Sequence, residues 1–346
     1  MKPEWKQFLI DSGAEFEGDR VSRFGNPERE LRASLGGNVF CDLSHTGLIS
    51  VTGADMESFL QGQITADLRD VMGGRSRLAA HCTHKGRMLS LFRLFRHGGA
   101  VYLSLPRKMV EITLKRLRMY LLRADAGLED AGDALVRLGL VGPDAQALLH
   151  QALGVVPSRV DDGVTRGDIL VIRVPAPQGR RRYEIHGEWE SMKSLWNTLN
   201  AQAAPGGAEV WSLCETLSGV PVIEPETVEA FVPQMMNLGL LGGISFDKGC
   251  YTGQEVVARM QYRGELKRRM VLLRGTARDV RPGTEIFPSG TSSPVGKVVR
   301  AASHPDGDTA LLAVIRVAEE NRALRLGGPD GPALTLSELP YSLEVS

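Results

Sequence analysis

Short blocks of alternating apolar and polar positions predict a chain that mixes strands and helices. Residues 47–52 predict a strand, and the apolar positions of residues 56–64 then recur at the spacing of a helix. About ninety residues further along, residues 140–149 repeat this order of strand, turn and helix. Both turns contain a glycine followed two residues later by an aspartate. The repetition indicates two related α/β units.

Further periodic segments predict hairpins, helices and a β-rich end. We expect strand pairs over 89–95 with 101–105 and over 169–174 with 182–186, a basic helix over 108–122 and an amphipathic helix over 192–199. The polar residues 1–36 predict an extended leading segment. From residue 268 onward, short apolar strands lie among Gly, Pro and Asp turns, which predicts a small barrel or sandwich.

These patterns divide the chain into a larger mixed region and a smaller all-β one. We predict a region over 1–265 built from two interleaved subdomains, about 50–134 and about 135–245 plus the N-terminal segment. A barrel domain follows over 266–346. The predicted fold class is α+β.

Charge and targeting signals narrow the classes of protein that this chain could be. Its 346 residues include 41 basic and 41 acidic side chains, which argues against binding nucleic acid by bulk charge but leaves a local basic face open. The N-terminus lacks the apolar core of a secretory leader, and no run of about 18 apolar residues occurs. We expect a cytoplasmic monomer without a membrane segment.

The cysteines do not form a recognisable disulfide or metal pattern. Four cysteines, at positions 41, 82, 214 and 250, are too few and too scattered for a disulfide scaffold, which favours a reducing compartment. The densest ligand-like cluster is His81-Cys82-Thr83-His84, and a structural zinc site needs four convergent ligands. We therefore predict no metal site formed by local spacing. An iron–sulfur cluster could gather the cysteines only through tertiary folding.

The segment Lys248 to Glu255, called the Cys250 loop below, carries the strongest candidate chemistry. Thr252 and Glu255 fit a capping box, which predicts a helix with Thr252 as its N-cap and a stop near Gly264. Cys250 would then lie just before the positive end of a helix, where a thiolate is favoured. The cations of Lys248 and Arg259 would act in the same direction. The alternative is that Cys250 is a small buried packing residue.

Taken with its neighbours, this loop resembles the signature block of a known family. Residues 231–238, 242–246 and 248–259 resemble that block in the YgfZ family of folate-binding, tRNA-modification-associated proteins. Residues 53–67, 80–88 and 339–343 resemble further motifs of the same family, so the resemblance covers nearly the whole chain. This family is related to mitochondrial factors that help to mature iron–sulfur proteins.

The family in turn resembles the folate-dependent aminomethyltransferase of the glycine cleavage system, the T-protein, whose N-terminal motif is largely kept in residues 42–47. That resemblance implies a GcvT-like ring of three domains, with two related α/β units and a C-terminal small β-barrel. It also implies tetrahydrofolate, or a derivative of it, as the bound cofactor.

Two departures from the aminomethyltransferase pattern affect the expected chemistry. Leu89 and Ser90 stand where that enzyme carries paired aspartates, and a serine cannot replace a carboxylate without an activating base. Leu217 stands where related chains carry a pterin-binding glutamate, with Glu215 nearby. Trp211 occupies the family's tryptophan position, where it could offer its face to a flat ring or pack in the core.

The resemblance implies an accessory protein that binds folate and supports iron–sulfur client proteins, including those that thiolate tRNA. Cys250 would be its functional thiol and Lys248 the activator, and Cys250 could hold a transient iron–sulfur cluster or react with a folate-borne one-carbon unit. The expected folate-binding or site-shaping residues are Trp211, Asn237, Tyr251, Gln254, Glu255 and Arg259.

Two alternatives stay open. The first is a one-carbon transferase of altered chemistry, although a chain that lacks the aspartates is not expected to be a classical enzyme. The second is a direct tRNA-binding protein, which would use the helix over 108–122 and a basic run next to the Cys250 loop: Arg259, Arg263, Lys267, Arg268 and Arg269.

Overall fold

The structure is a computed structural model that describes residues 1–263 and 266–343. The predicted helix stop at Gly264 and the last three residues of the predicted barrel domain lie outside the described residues. None of the helices that the structure describes is long and apolar enough to cross a membrane.

The N-terminal segment is folded, so the prediction of an extended leading segment is wrong. It forms α1 (Pro3–Asp11), β1 (Glu15–Glu17), β2 (Arg20–Arg23) and α2 (Pro27–Gly36). A proline at the first helical position begins each of the two helices, where its missing N–H is not needed. The indole of Trp5 is buried, and its Nε1 donates to Oδ1 of Asp42 at 2.8 Å. Tertiary burial of a few apolar residues therefore orders a segment whose composition is mostly polar.

The first α/β unit is built on a five-stranded sheet. Strand β3 (Val39–Asp42) comes first in the chain but belongs to the other sheet. The elements of the first unit are β4 (Thr46–Thr52), α3 (Met56–Gln61), α4 (Leu68–Met72), β5 (Arg77–Cys82), β6 (Met88–His97), β7 (Ala100–Pro106), α5 (Val110–Arg118) and β8 (Gly127–Asp130). The strand order is β5-β6-β7-β4-β8. The predicted helix over 108–122 is shorter than expected, because α5 ends at Arg118 and Leu122 adopts a φ of 43°.

The second unit repeats the first. Its elements are β9 (Val136–Gly142), α6 (Ala145–Leu153), β10 (Gly163–Arg166), β11 (Ile169–Val174), β12 (Arg181–Gly187), α7 (Trp189–Asn200), β13 (Ala204–Gly206) and α8 (Ala208–Leu217). The order β10-β11-β12-β9 matches β5-β6-β7-β4, and β3 and β13 extend the sheet. In both units a strand is followed by helical structure (α3 and α4 in the first unit, α6 in the second) and then by three strands, and the last strand returns beside the first. The prediction of two related units is confirmed.

The two sheets contact each other through one face of each. Leu48 and Phe95 of the first sheet share a buried apolar cluster with Ile172 of the second. The ring of Phe95 stacks on His186, with 4.2 Å between the centroids. Across the same interface, Nη1 of Arg93 donates to Oδ1 of Asp161 at 2.6 Å. Helices α6 and α7 cover the other face of the second sheet, whereas α8 packs beside the interface on the inner face, with Trp211 over Gly139.

A closed barrel completes the described chain, as predicted. After α9 (Gln254–Arg263) come β14 (Arg268–Gly275), β15 (Glu285–Pro288), β16 (Gly296–Ser303), β17 (Thr309–Arg316), β18 (Leu324–Leu326) and β19 (Ala333–Ser337). They close in the order β14-β17-β16-β15-β18-β19. Val271 and Leu273 fill the barrel, whereas Met270 and Leu272 pack outward against the core of the first unit. Alternate side chains of β14 thus pack into two cores, the interior of the barrel and the core of the first unit.

Candidate functional site

The Cys250 loop is tied to the first unit at Lys248. The Nζ atom of Lys248 donates to the carbonyl oxygens of Ile64 and Ala66, each at 2.8 Å. Just before the loop, the hydroxyl of Thr65 donates to the carbonyl oxygen of Gly243 at 2.6 Å. The backbone N–H of Ser245 in turn donates to the carbonyl oxygen of Thr65 at 2.9 Å. Hydrogen bonds therefore hold together two segments that are about 180 residues apart in sequence.

Lys248 is an inward-facing side chain. It is 7% exposed, and its Nζ lies 5.1 Å from the ring centroid of Tyr251. Burial lowers the pKa of its amino group to about 8, although the nearby carboxylate of Asp67 acts in the opposite direction. With two backbone carbonyls and an aromatic face around it, Lys248 anchors the loop.

Cys250 differs from the other three cysteines because it is exposed. Cys41, Cys82 and Cys214 are all buried. Burial raises the pKa of the Cys82 thiol to about 12 and that of Cys214 to about 11. These thiols are protonated and inaccessible at neutral pH, so Cys250 is the one cysteine that a ligand or a partner can reach directly. The alternative of a buried packing residue at position 250 is wrong.

The helix after Cys250 begins later than predicted, and the capping box at Thr252 is wrong. Helix α9 starts at Gln254, and the N–H of Val257 donates to the carbonyl oxygen of Gly253. Gly253 therefore occupies the cap position, while the N–H of Thr252 donates to the carbonyl oxygen of Gly62 at 3.3 Å. Cys250 lies three residues before this cap, so the field of the helix end acts on it less than predicted.

Gly253 takes the cap position because the loop packs tightly on the turn over residues 83–87. Its φ is 87°, and a Cβ there would collide with the carbonyl oxygen of Thr83. Within the turn, the N–H of Gly86 donates to the carbonyl oxygen of Thr83 at 2.9 Å. A Cβ on Gly86 would lie 3.0 Å from Val256. The two glycines thus allow the segments around residues 62–67 and 83–87 to pack closely against the loop that carries Cys250, residues 248–256.

The predicted folate-binding residues fall into two groups. Tyr251, which is buried, lies in the Cys250 loop, as do Gln254 and Glu255, which begin α9. Arg259 lies next to the loop, in the middle of α9. Burial raises the pKa of the Tyr251 phenol well above its usual value, and the neighbouring Cys82 adds to this shift. Four of the six residues are therefore brought together with Cys250.

Asn237 lies elsewhere, with a role in joining the barrel to the main body. It is buried with a φ of 56°, and its Nδ2 donates to the carbonyl oxygen of Met270 at 2.9 Å. The same amide nitrogen lies 3.4 Å from the hydroxyl of Tyr341, which donates to the carbonyl oxygen of Gly219 at 2.9 Å. These bonds fix the orientation of the first barrel strand.

Trp211 also lies away from the loop. It belongs to α8, and its side chain packs in the core under that helix. It is 1% exposed, and the guanidinium carbon of Arg182 lies 4.7 Å from its ring centroid. A Cβ on Gly139 would collide with the same indole ring. Arg182 and Gly139 thus enclose the aromatic surface that the sequence suggested for a flat ligand.

A charged junction beside Trp211 was not anticipated from the sequence. Glu215 lies 2.8 Å from Nη1 of Arg300 in the barrel and 3.9 Å from Nη1 of Arg182 in the second unit. Nη1 of Arg182 is buried and has no hydrogen-bond partner in the part of the chain that the structure describes, whereas Nη1 of Arg300 is held in the ion pair with Glu215. Burial also raises the pKa of Glu224, while Arg300 lowers it. Glu215 was noted in the sequence, but its two arginines come from segments that only the fold brings together.

The position of the missing aspartates is closed and apolar. Leu89 and Ser90 are 5% and 1% exposed, and the hydroxyl of Ser90 has no hydrogen-bond partner among the described residues. Ser90 pairs across the strands with His81, whose Nδ1 lies 3.0 Å from the carbonyl oxygen of Gln63. Burial lowers the pKa of His81, which keeps that ring neutral at pH 7.

Among the described residues, no group of three or more His, Cys, Asp or Glu side chains could hold a metal ion. Within residues 1–263 and 266–343, Cys250 therefore has no neighbouring set of ligands with which to complete a metal centre.

Comparison with known proteins places this geometry in a family. A family model of the GCVT N-terminal domain matches residues 11–213. The tRNA-modifying protein YgfZ of Shigella boydii serotype 4 (strain Sb227) is 34% identical over 305 residues, which cover 87% of this chain and 93% of that relative. The YgfZ protein of Escherichia coli O45:K1 (strain S88 / ExPEC) is 33% identical over the same shares.

A solved structure shows the same fold. The crystal structure of glycine cleavage system aminomethyltransferase T from Bartonella henselae superimposes with a TM-score of 0.77, over 97% of this chain and 96% of that one. The two sequences are 18% identical. The predicted GcvT-like fold is confirmed.

Proposed function

This chain belongs to the YgfZ family, and on that premise we propose that it is a folate-binding accessory protein. It supports the assembly or repair of iron–sulfur proteins and, through them, the methylthiolation of tRNA. Its functional group is the thiol of Cys250. The observation that carries the proposal is the convergence of three motifs beneath this exposed cysteine, with Lys248 bound to Ile64 and Ala66.

The chemistry of the loop favours a transfer or holding role for the thiol. A thiolate is the usual protein ligand of an iron–sulfur cluster, and a complete cluster needs several of them. Cys250 supplies one, so the cluster would be a cargo shared with a client protein that provides the rest. Exposure of Cys250 allows that contact, and the anchored Lys248 keeps the loop in place while a client docks. Lys248 thus acts as a positioning residue.

We further propose that the junction at Glu215 holds the folate. A tetrahydrofolate derivative would supply a one-carbon unit carried on N5 or N10. A pterin presents N–H donors, for which the carboxylate of Glu215 is a suitable acceptor, and a ring carbonyl oxygen that can accept from a guanidinium group. The buried Nη1 atom of Arg182, which lies 3.9 Å from Glu215 and has no hydrogen-bond partner in the described part of the chain, fits such a ligand. This assignment replaces the role that Leu217 cannot fill.

An aminomethyltransferase with the standard mechanism is disfavoured. Proton transfer at the reacting folate nitrogen needs a carboxylate within hydrogen-bond reach. Leu89 and Ser90 supply none, and they are too buried to admit water as a substitute. Removal of this carboxylate turns an enzyme scaffold into a binding one.

The function is tested in a bacterial strain that lacks its own member of the family. The wild-type chain should restore methylthio-modified nucleosides in total tRNA, as measured by mass spectrometry, together with the activity of an iron–sulfur dehydratase. A cluster-independent tRNA methylation in the same strain is the control and should not change. If the dehydratase recovers without the methylthio groups, or neither responds, the proposal is wrong.

A further inference from the structure

Two apolar rows of the barrel end in a pair of arginines. On β14 and β17, Met270 pairs with Val314 and Leu272 with Leu312, and all four side chains pack on the core of the first unit. The next pair in the same register and on the same face is Arg268 with Arg316. At the rim of this interface, the two strands therefore place the positive charges of Arg268 and Arg316 side by side.

A third arginine comes to this rim from the first unit. Arg87 follows the turn that packs on α9, and its Nη1 donates to the carbonyl oxygen of Ala230 at 2.9 Å. Arg87 and Arg316 are exposed, and Arg268 is half-buried. Burial lowers the pKa of Arg268, and the charges of Arg316 and Arg87 lower it further. Arg268 is therefore repelled both by Arg316, its partner across the strands, and by Arg87.

This repulsion is not relieved by a carboxylate in the part of the chain that the structure describes. None of the three arginines forms an ion pair there, whereas the adjacent Arg269 pairs with Glu320. Like charges directly opposite each other on neighbouring strands destabilise a sheet. A single arginine would be enough to keep this rim hydrated. Three arginines without an ion pair among the described residues indicate that an anion binds there and offsets their repulsion.

We propose that Arg87, Arg268 and Arg316 form a binding site for the phosphate groups of an RNA backbone. Guanidinium groups bind phosphate oxygens in a bidentate manner, and three of them at a rim suit successive phosphates better than a single small anion. The zero net charge of the chain means that such binding depends on this local cluster.

The location links this site to the Cys250 loop. The turn that carries Arg87 contacts α9, because a Cβ on Gly86 would lie 3.0 Å from Val256. RNA held at the rim would thus lie beside the same helix that follows Cys250. The choice of RNA as the anion rests on the proposed function, whereas the anion site itself rests on the three arginines.

Only part of the basic run predicted from the sequence belongs to the proposed RNA-binding site. Arg268 belongs to the proposed site, Arg269 is neutralised by Glu320, and the side chain of Arg263 lies outside the described part of the chain. Arg87 and Arg316 are far from that run in sequence, and the fold adds them.

The test is the salt dependence of binding between the full-length protein and a labelled, unmodified tRNA transcript, followed by fluorescence anisotropy. Replacement of Arg87, Arg268 and Arg316 by Gln should weaken binding roughly tenfold or more at low salt and reduce the salt slope by about two to three. A matched control replaces three exposed arginines elsewhere, Arg166, Arg278 and Arg281, by Gln. It removes the same net charge and should keep the slope of the wild type within about one unit.

The proposal is overturned if the wild type does not bind tRNA at about 50 mM salt, or if both triple variants lose the same affinity. It is also overturned if the three arginines instead govern binding of a folate polyglutamate while RNA is not bound. Cys250→Ala should bind the transcript like the wild type, so failure here is distinguishable from failure of the thiol role. Because Arg316→Gln removes repulsion from an exposed position, it should not lower the melting temperature, and it tests the site without risk of misfolding.

Discussion

The amino group of Lys248 donates a hydrogen bond of 2.8 Å to the carbonyl oxygen of Ile64, which lies 184 residues earlier in the chain. A second bond of the same length reaches the carbonyl oxygen of Ala66. These two bonds hold the loop that presents Cys250 against the first α/β unit. Lys248 therefore contributes to the site by fixing the geometry around the thiol.

Replacement of Lys248 by Met should lower the free energy of unfolding by about 2–3 kcal/mol, because two buried carbonyl oxygens lose a charged donor. Lys85→Met is the matched control, since Lys85 is exposed on the neighbouring turn, and it should change stability by less than about 0.5 kcal/mol. Urea-induced unfolding of the two variants measures the difference. Equal stability of the two variants would contradict the anchoring role.

The lowered pKa of Lys248, about 8, predicts a specific pH dependence. Between this value and the ordinary pKa of lysine, the unfolded chain binds a proton that the folded chain has released. Stability therefore rises with pH over that window. From about pH 7.5 to about pH 9.5, the wild type should become more stable relative to Lys248→Met. A gap that narrows over the same range would mean that folding raises this pKa.

Gly253→Ala tests the packing beneath the loop. The left-handed backbone at Gly253 and the collision of a Cβ with the carbonyl oxygen of Thr83 should together cost about 1–3 kcal/mol of stability. Gly249→Ala is the control in the same loop, because a Cβ there meets no atom within 4 Å. Urea unfolding should separate the two variants clearly. If both behave alike, the contact with the turn over residues 83–87 is not structurally important.

Folate binding at the Glu215 junction should quench the fluorescence of Trp211. The other three tryptophans share a separate core, so Trp211→Phe should abolish saturable quenching by folinic acid while binding itself persists. Glu215→Gln should weaken the affinity, measured by calorimetry, by about tenfold or more. Glu209→Gln, on the same helix but paired with Arg20 instead of with Arg182 or Arg300, is the control. Unchanged affinity of Glu215→Gln would place the folate elsewhere.

Sequence patterns predicted much of this fold because the apolar periodicity is local. The strand before Gly53 and the helix after it, their repeat around Gly142 and the barrel strands all follow from short-range periodicity. The N-terminal segment did not, because α1 gains its stability from burial of Trp5 against a distant strand. Propensity alone does not include that contribution.

The site was predicted unevenly for a similar reason. Residues of the Cys250 loop were found together because they are adjacent in sequence and resemble a family motif. The start of α9 was misplaced by one residue, since a close approach to Thr83 sets the conformation of Gly253 and overrides the capping box at Thr252. The partners of Lys248 and of Glu215 are backbone carbonyls and arginines from remote segments. No local pattern marks such groups.

The most direct test of the central claim is complementation by Cys250→Ala in a strain that lacks its own family member. We predict that this variant folds like the wild type, because the residue is exposed, yet fails to restore methylthio-modified nucleosides in tRNA. Gly249→Ala, one residue away, should restore them fully. Restoration of the modification by Cys250→Ala to the level of the wild type would contradict the account.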